Sequence, residues 1–427
     1  MIAVAVLLLL SLLLLTIPVA AVLGTLGLIL DESFSSMPLH RAIGEVAWGL
    51  STDFVLVAVP LFILLGEIIL RSRIAEAMYD AGSYWLSWLP GGLMHSNIGS
   101  SAMFAAMSGS SVATAATIGT VAVEQIDKRG YNERFFLGTI AAGGTIGILI
   151  PPSINLIIYG VLTDTSIVQL YLAGFVPGIV LAILFSLTLV ISCYFKPKWS
   201  GAKIDTDWRR RIQSLSDLLP PLLIFFTVIA SIYAGLATPT ESAALGVVAA
   251  LVLAAWKRRL SWSMLLDAFE ATARTTAMIM IILIAAKFLN FVITAIGLTA
   301  QINAVITDLG LSPMATLFAV ILFYLVLGMF METLSMMVAT IPIIAPVIIG
   351  LGFDPIWFGV IVILLVEAAL ITPPVGLNLF VVQGVRGRGS VTDVAVGAAP
   401  FVVTIFAMIL LLIALPDVAL WLPSLGR

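Results

Sequence analysis

Long apolar segments recur from one end of this chain to the other, and they constrain its fold more than any other sequence feature. Charged residues make up only 10% of the 427 residues, against about 25% in a soluble domain. So few charges cannot cover a water-soluble fold of this length, and we predict an all-α polytopic membrane protein. The net charge of −3, the single cysteine and the two histidines argue against nucleic-acid binding, a disulfide framework and a His/Cys metal site.

Ten segments are apolar enough to be transmembrane helices, which need about 20 residues, or fewer where the bilayer thins. For the first two, the alternative is one long helix kinked at Pro18. No basic region precedes the first apolar run, so we read it as a span and not as a cleaved signal peptide. The ten predicted spans are 2–15, 18–30, 53–70, 135–162, 169–195, 218–236, 239–256, 275–297, 357–384 and 395–416.

Two further apolar segments, 92–127 and 313–349, are interrupted near the middle by small or polar residues, and we predict re-entrant helical hairpins there. If the N-terminus lies outside the cell membrane and the ten spans cross it in alternating directions, 17 of the 20 Lys and Arg residues fall on the other, inner side. Such a bias places that side in the cytoplasm. The first hairpin then opens to the cytoplasm and the second to the opposite face.

The two halves of the chain align with each other when one is displaced by 222 residues. Each half has five predicted crossings, so the second half is upside down relative to the first. We therefore predict a first inverted repeat at 1–195, a cytoplasmic basic linker at 196–217 and a second inverted repeat at 218–427. The aligned residues include Met107 with Met329, Pro151 and Pro152 with Pro373 and Pro374, and, after one gained residue, Asn155 with Asn378.

Proline pairs break the predicted spans 135–162 and 357–384 at these matching positions. Proline leaves a carbonyl of the preceding turn unpaired, and such carbonyls at membrane depth must line a buried or wet cavity. The hairpin tips, 107–114 (MSGSSVAT) and 331–335 (METLS), add hydroxyls and a carboxylate. One such motif alone would fit a simple kink or tight helix packing. Matched interruptions in inverted halves are typical of the binding site of a secondary transporter.

Five motifs resemble the large membrane subunit of TRAP transporters (tripartite ATP-independent periplasmic transporters, DctM- and SiaM-like), and the resemblance covers nearly the whole chain. It implies an elevator-type ion-transporter superfamily architecture and sodium-coupled import of an organic anion, such as a C4-dicarboxylate or a sialic acid. The alternative within carriers is a stand-alone sodium/carboxylate symporter of related fold. The motifs are 90–93 (PGGL), 106–111 (AMSGSS), 147–155 (GILIPPSIN), 235–244 (GLATPTESAA) and 328–333 (GMFMET).

The resemblance also implies partners and a location. A small four-helix membrane subunit (Q) and a periplasmic substrate-binding protein (P) would assemble with this chain in the bacterial inner membrane. Sodium is the only metal expected, as the coupling ion, and no organic cofactor is expected. An intramembrane enzyme is excluded because no histidine lies within a span to activate a serine.

Sodium sites are implied where the hairpin tips meet the broken helices, and substrate contacts are expected beside them. The implied sodium-site residues are Ser108, Gly109, Ser110, Gly147, Ile150 and Pro151 in the first half, and Glu332, Thr333, Thr372, Pro373 and Gly376 in the second. The expected substrate contacts are Ser111, Asn155, Ser335 and Asn378.

Ionisable residues inside spans are costly and usually functional. Glu332 is expected either to neutralise sodium or to cap the following helix, and Glu367 to support Thr372. Lys287 lacks an obvious partner, so it is expected to pair with an acid of the small subunit or to extend towards the interface. Glu67 is expected at the cytoplasmic interface. Amphipathic segments 74–89 and 258–273, with tryptophans at the lipid headgroup level, are expected to be arms between a moving and a fixed domain.

Overall fold

A computed structural model describes residues 1–15, 17–202 and 207–425. The all-helical prediction is confirmed for these residues, among which the sole β pairing is a bridge between Tyr131 and Ser200. The α-helices are α1 Ile2–Leu14, α2 Val19–Phe34, α3 Ile43–Ser51, α4 Ala58–Arg71, α5 Ile74–Leu86, α6 Leu93–Ser108, α7 Ser111–Ala122, α8 Glu124–Arg129, α9 Glu133–Leu149, α10 Ile154–Thr163, α11 Ile167–Phe195, α12 Trp208–Tyr233, α13 Pro239–Trp256, α14 Trp262–Ala295, α15 Leu298–Asp308, α16 Pro313–Gly328, α17 Thr333–Gly350, α18 Pro355–Leu370, α19 Leu377–Arg386, α20 Val391–Ala414 and α21 Asp417–Ser424.

Several helices are long and apolar enough to cross a membrane. Seven meet this condition within the described residues, and the bent pair of α9 and α10 makes eight. The helices α1, α16 and α18 are apolar but shorter. The chain is therefore a multi-pass membrane protein, while ten spans and two re-entrant hairpins stay predictions.

The N-terminal region forms two helices and not one kinked helix. The first ends at Leu14 and the second begins at Val19, directly after Pro18. Proline is favourable at such a helix start because the first amide groups of a helix have no intrahelical partner.

One expected arm is not a separate element. Residues 262–273 form the first part of α14, a single helix of 34 residues that also contains most of the predicted span 275–297. Neither glycine nor proline occurs between Trp262 and Ala295, so nothing in the sequence ends the helix. The Ser261 hydroxyl caps its start by accepting a hydrogen bond from the Met264 amide at 3.2 Å. The other expected arm, α5, is a separate helix.

The predicted linker 196–217 is partly helical. A short 3-10 turn covers Pro197–Trp199, and α12 begins at Trp208, ten residues before the predicted span. Residues 203–206 of this linker, including Lys203, lie outside the described part of the chain.

We group most of the helices into two bodies by their packing. In the first, which we call the hairpin body (α6–α11 and α16–α21), α9 packs between α6, α7 and α20, and α16 packs on α18. In the second, which we call the frame (α2, α4, α5 and α12–α14), α4 packs on α13 and α14, and α12 packs on α5. The two bodies meet mainly where α6 lies against α4 and α5 and where α17 lies against α14.

Matching helices of the two halves keep the offset found in the sequence. The start of α18 lies 222 residues after that of α9, and the start of α19 lies 223 residues after that of α10. Ion pairs join the halves on one face of the hairpin body. Arg386 contacts Glu133 at 2.9 Å, and Arg134 contacts Asp393 at 2.8 Å.

Candidate functional site

The first hairpin turns at Gly109. The α6 helix ends at Ser108, Gly109 takes a φ of +60°, and Ser110 caps α7 by accepting a hydrogen bond from the Ala113 amide at 3.3 Å. Glycine suits this left-handed conformation, and serine is a preferred helix cap. A Cβ atom on Gly109 would lie 3.4 Å from the Pro152 carbonyl oxygen, so this tip meets the first proline break.

The second hairpin turns between Gly328 and Thr333. The Glu332 carboxylate caps α17 by accepting a hydrogen bond from the Ser335 amide at 3.0 Å, so the expected capping role is confirmed. The Val375 amide donates to the Met329 carbonyl at 3.2 Å. Each tip therefore contacts the proline break of its own half.

Both helix breaks contain a proline pair, but the two differ in exposure. At the first break the α9 and α10 axes bend by 43°, and Ser153 caps α10 by accepting a hydrogen bond from the Leu156 amide. The peptide bonds Pro151–Pro152 and Pro373–Pro374 are both cis. The first proline pair is buried, whereas the second is exposed.

A cavity of about 150 Å³ lies where the two tips meet. The N-terminal ends of α7, α10 and α17 reach it, and the partial positive charge of a helix N-terminus favours anionic groups. Its hairpin-body wall consists of Ser108, Gly109, Ser110, Ser111, Val112, Ala113, Ile148, Ile154, Asn155, Glu332, Thr333 and Leu334. A neighbouring cavity of about 190 Å³ lies between the second tip and the second break, lined in part by Glu332, Thr333 and Gly376.

Eight of the expected site residues line these two cavities, and seven line neither. The eight are Ser108, Gly109, Ser110, Ser111, Asn155, Glu332 and Thr333 at the first cavity, with Gly376 at the second. The other seven are Gly147, Ile150, Pro151, Ser335, Thr372, Pro373 and Asn378.

Several residues outside the cavities have packing contacts. Gly147 lets α9 approach α6, because a Cβ atom there would collide with Ala105. The Thr372 hydroxyl donates to the Ala368 carbonyl at 2.6 Å. Asn378 is 0% exposed, and its side-chain amide donates to the Ala141 carbonyl at 3.2 Å, which joins α19 to α9.

The sequence did not predict the residues that form the frame side of the cavity wall. This side consists of Ile63, Gly66, Glu67 and Leu70 of α4 with Thr275 and Ile279 of α14. Glu67, which was expected at the cytoplasmic interface, lines this cavity and pairs with Arg71 at 3.0 Å. A glycine in the middle of an apolar span, Gly66, was the available signal for a close helix contact.

Two charged residues have surroundings that differ from the expectation. Lys287 finds a partner within the chain, because its ammonium group lies 3.2 Å from the Asp164 carboxylate. Glu367 is 0% exposed, and the Thr372 hydroxyl bonds to the Ala368 carbonyl and not to the Glu367 carboxylate. The expected support of Thr372 by Glu367 is therefore wrong.

Exposed ion pairs lie on the predicted cytoplasmic face of the hairpin body. The Arg388 guanidinium binds the Asp127 carboxylate at 2.7 Å and holds the pKa of that carboxyl below its usual range. Within the described residues, no group of three His, Cys, Asp or Glu side chains is arranged to hold a metal ion. A cation at the tips would therefore depend on carbonyl and hydroxyl oxygens, with the Glu332 carboxylate of the second tip and the Glu67 carboxylate of the frame wall.

Comparisons with known proteins agree with this architecture. Residues 6–418 match the family model of the tripartite ATP-independent periplasmic transporter, DctM component. The C4-dicarboxylate TRAP transporter large permease protein DctM of Vibrio cholerae is 30% identical, over 96% of this chain and 94% of that protein. The isethionate TRAP transporter permease protein DctMQ of Oleidesulfovibrio alaskensis is also 30% identical, over 95% of this chain and 64% of that protein. The crystal structure of the Alcanivorax borkumensis YdaH transporter has a similar fold, with a TM-score of 0.66, 16% identity and 98% of each chain covered.

Proposed function

The chain belongs to the DctM family of tripartite ATP-independent periplasmic transporters, and from this premise we propose that it imports an organic acid by sodium symport. Proteins of this family are transporter permeases and not enzymes. The chain is thus a large permease subunit, and the proposal concerns its coupling ion, its movement and its partners.

The observation that carries the proposal is the meeting of both hairpin tips at one cavity. Serine hydroxyls and the carboxylates of Glu332 and Glu67 surround it, and oxygen ligands of this kind suit a hard alkali cation. Sodium would bind in the first half at Ser108, Gly109 and Ser110, close to the Pro152 carbonyl. It would bind in the second half at Glu332 and Thr333, next to Gly376.

The substrate would bind beside the ions. Ser111 and Asn155 line the cavity where the two tips meet, next to the N-terminal ends of α7 and α10. Those ends attract carboxylates, as in other transporters with broken helices. A C4-dicarboxylate or a sialic acid fits this chemistry.

The proposed movement is an elevator motion of the hairpin body against the frame. Leu70 and Thr275 line the tip cavity. In the sequence, Arg71 directly follows Leu70 and Arg274 directly precedes Thr275. Both arginines belong to the predicted cytoplasmic face, so this conformation would be open to the cytoplasm. A further cavity of about 360 Å³ shares Leu70 and Ala113 with the tip cavity and continues between α7, the end of α4 and the start of α5. Outward movement of the hairpin body would then expose the tips to the other side.

The proposed assembly has three components in and at the bacterial inner membrane. A small four-helix subunit would lie against the frame, surrounded by lipid, and a periplasmic protein would deliver the acid. The name DctMQ of one relative supports a small subunit as the partner of the large one.

The test is uptake into proteoliposomes that contain this chain and the small subunit encoded beside it. Labelled succinate, sialic acid and isethionate would be offered with and without the binding protein, under an inward gradient of sodium or of choline. We expect accumulation only with sodium and all three proteins. Sodium-driven uptake by this chain alone would show a free-standing symporter, and uptake under choline would show that sodium is not the coupling ion.

A further inference from the structure

Lys287 makes an ion pair that crosses from the frame to the hairpin body. Its ammonium group donates hydrogen bonds to the Asp164 carboxylate and to the Val161 carbonyl, both at 3.2 Å. Lys287 lies on α14 of the frame, whereas Asp164 follows α10 of the hairpin body. The Lys287 side chain is 31% exposed and the Asp164 side chain 85% exposed. The Asp164 carboxylate is therefore mostly exposed, whereas the Lys287 side chain is mostly covered.

This pair lies at a cavity of about 750 Å³ at the predicted outer ends of the helices. Its lining residues come from both bodies and from residues 46–55, and the charged ones among them are Asp53, Asp164 and Lys287. Asp53 is engaged in capping a short helix, since it accepts a hydrogen bond from the Val55 amide at 2.9 Å. Lys287 is the cation among the described residues that line this cavity. The cavity is also larger than the tip cavity.

An ammonium group in a membrane span needs a counter-charge, because an unpaired charge there costs several kcal/mol. The elevator motion proposed above would carry Asp164 away with α10 and leave Lys287 in the frame. Lys287 would then face the open cavity without its partner, and a carboxylate from solution is the natural replacement.

We propose that Lys287 is an outer binding site for the carboxylate of the incoming organic acid, and that Asp164 occupies this site in the cytoplasm-open conformation. The inference rests on the proposed transport function. In a purely structural ion pair, Lys287 would bind Asp164 alone. In the proposed site it binds two carboxylates in turn, that of Asp164 and that of the substrate.

The position of Lys287 along α14 places it on the substrate path. Ile279 lines the tip cavity, and Lys287 follows eight residues later on the same helix. At a rise of 1.5 Å per residue, the separation along the helix is about 12 Å. A movement of the tips by this distance towards the outer face would bring them level with Lys287, so an acid bound there would be next to the tip site.

The decisive experiment compares three variants of the complex in the uptake assay, with the labelled acid that the wild type accumulates. They are Lys287→Gln, Asp164→Asn and the exchange of charges, Lys287→Asp with Asp164→Lys. Arg134→Gln is the matched control, because it removes a cation paired with Asp393 at 2.8 Å within the hairpin body alone. We expect Lys287→Gln to raise KM about tenfold or more, as the loss of a charged hydrogen bond predicts. Asp164→Asn should leave KM unchanged or lower it, and the control should stay near the wild type.

The exchange of charges separates a binding site from a structural ion pair. A structural pair would be restored by the exchange, and the two single variants would have equal effects. A carboxylate site would not be restored, because the exchange places an aspartate where the substrate must bind. Recovery of the wild-type KM in the double variant would therefore overturn the proposal.

A second measurement is independent of transport. The purified complex would be heated with succinate or with chloride at equal ionic strength. We expect succinate to raise the melting temperature most in Asp164→Asn, less in the wild type and least in Lys287→Gln, where only the tip site remains. Equal shifts in all three proteins, or none, would overturn the inference. Failure of the wild type to take up any acid would count against the proposed function, and the melting series would still decide this inference.

Discussion

Gly66 of α4 lies directly against Ser108 at the first hairpin tip, and a Cβ atom on Gly66 would be 2.8 Å from the Cα of Ser108. Backbone atoms cannot yield as a flexible side chain can, so Gly66→Ala must displace the tip or α4. Overpacking of this kind costs about 1–3 kcal/mol. We expect the apparent affinity for sodium in the uptake assay to fall about tenfold.

The control for this substitution is Gly24→Ala in α2, where an added Cβ atom would meet nothing within 4 Å. Alanine is favoured over glycine in a helix by about 1 kcal/mol. Uptake by Gly24→Ala should match the wild type, and its melting temperature should be equal or higher. Equal losses in both variants would contradict a specific contact between Gly66 and the tip.

Glu332 caps α17 and lines both tip cavities, and the two roles can be separated. Glu332→Asn keeps a good helix cap but removes the charge. We expect the sodium concentration for half-maximal uptake to rise strongly, with little change in melting temperature. Glu332→Ala should also lose about 1 kcal/mol of stability, since it removes the cap. A sodium dependence unchanged in Glu332→Asn would show that the carboxylate is only a cap.

The repeat-related residues Asn155 and Asn378 should differ in their effects. Asn155 lines the tip cavity, whereas Asn378 is buried and bonded to the Ala141 carbonyl. We expect Asn155→Ala to raise KM for the acid without lowering the melting temperature. Asn378→Ala should destabilise the protein by about 1–3 kcal/mol, because it removes a buried hydrogen bond and leaves a void. Similar changes in KM for both variants would contradict this division of roles.

The sequence predicted correctly those features in which a residue ends or begins the helix that it belongs to. The small-residue tip at Gly109 and the proline pair at Pro151 both end helices where the pattern predicts. The contact between this tip and the Pro152 carbonyl also follows the logic of matched interruptions. These features depend on residues close together in the chain, so periodicity and helix-breaking residues are sufficient to find them.

Contacts between distant helices were not accessible in the same way. The frame wall at Gly66 and Ile279 and the pairing of Lys287 with Asp164 depend on how α4 and α14 pack. A single apolar helix does not specify which face meets which neighbour. The merging of the expected arm 258–273 into α14 was readable, however, because no glycine or proline separates it from the span.

The exposed pair of Arg388 and Asp127 predicts a dependence of stability on pH. Since Arg388 lowers the pKa of Asp127, the folded state binds this proton less readily than the unfolded state. The pair therefore stabilises the fold at every pH above the ordinary aspartate pKa of about 3.9 and loses its effect below it. We expect the wild type to melt at a higher temperature than Arg388→Gln from pH 8 to pH 5.

Below about pH 4 this difference in melting temperature should shrink towards zero, as Asp127 becomes protonated in both states. The matched control is Lys128→Gln, whose partner Glu124 lies 2.8 Å away on the same helix, so less of the fold depends on it. High salt should reduce the difference, because exposed charges are screened. A difference that persists unchanged to pH 3 would contradict an origin in the Asp127 carboxylate.

The contact between Phe175 and Tyr233 offers a direct test of the proposed movement. Phe175 belongs to α11 of the hairpin body and Tyr233 to α12 of the frame, and their ring centroids are 6.2 Å apart. The Tyr233 hydroxyl also donates to the Tyr171 carbonyl at 3.1 Å. Phe175→Cys with Tyr233→Cys, joined by a short bifunctional maleimide in a Cys193→Ser background, should arrest uptake if the bodies must slide past each other.

The control joins two positions of one body, Arg134→Cys with Asp393→Cys, whose native side chains form an ion pair at 2.8 Å. This cross-link should leave uptake near the level of the Cys193→Ser background, because both positions move together. Arrest by both cross-links would indicate general rigidification. Undiminished uptake by the fully cross-linked Phe175 and Tyr233 pair would exclude the elevator motion, since α11 would then stay fixed to the frame throughout transport.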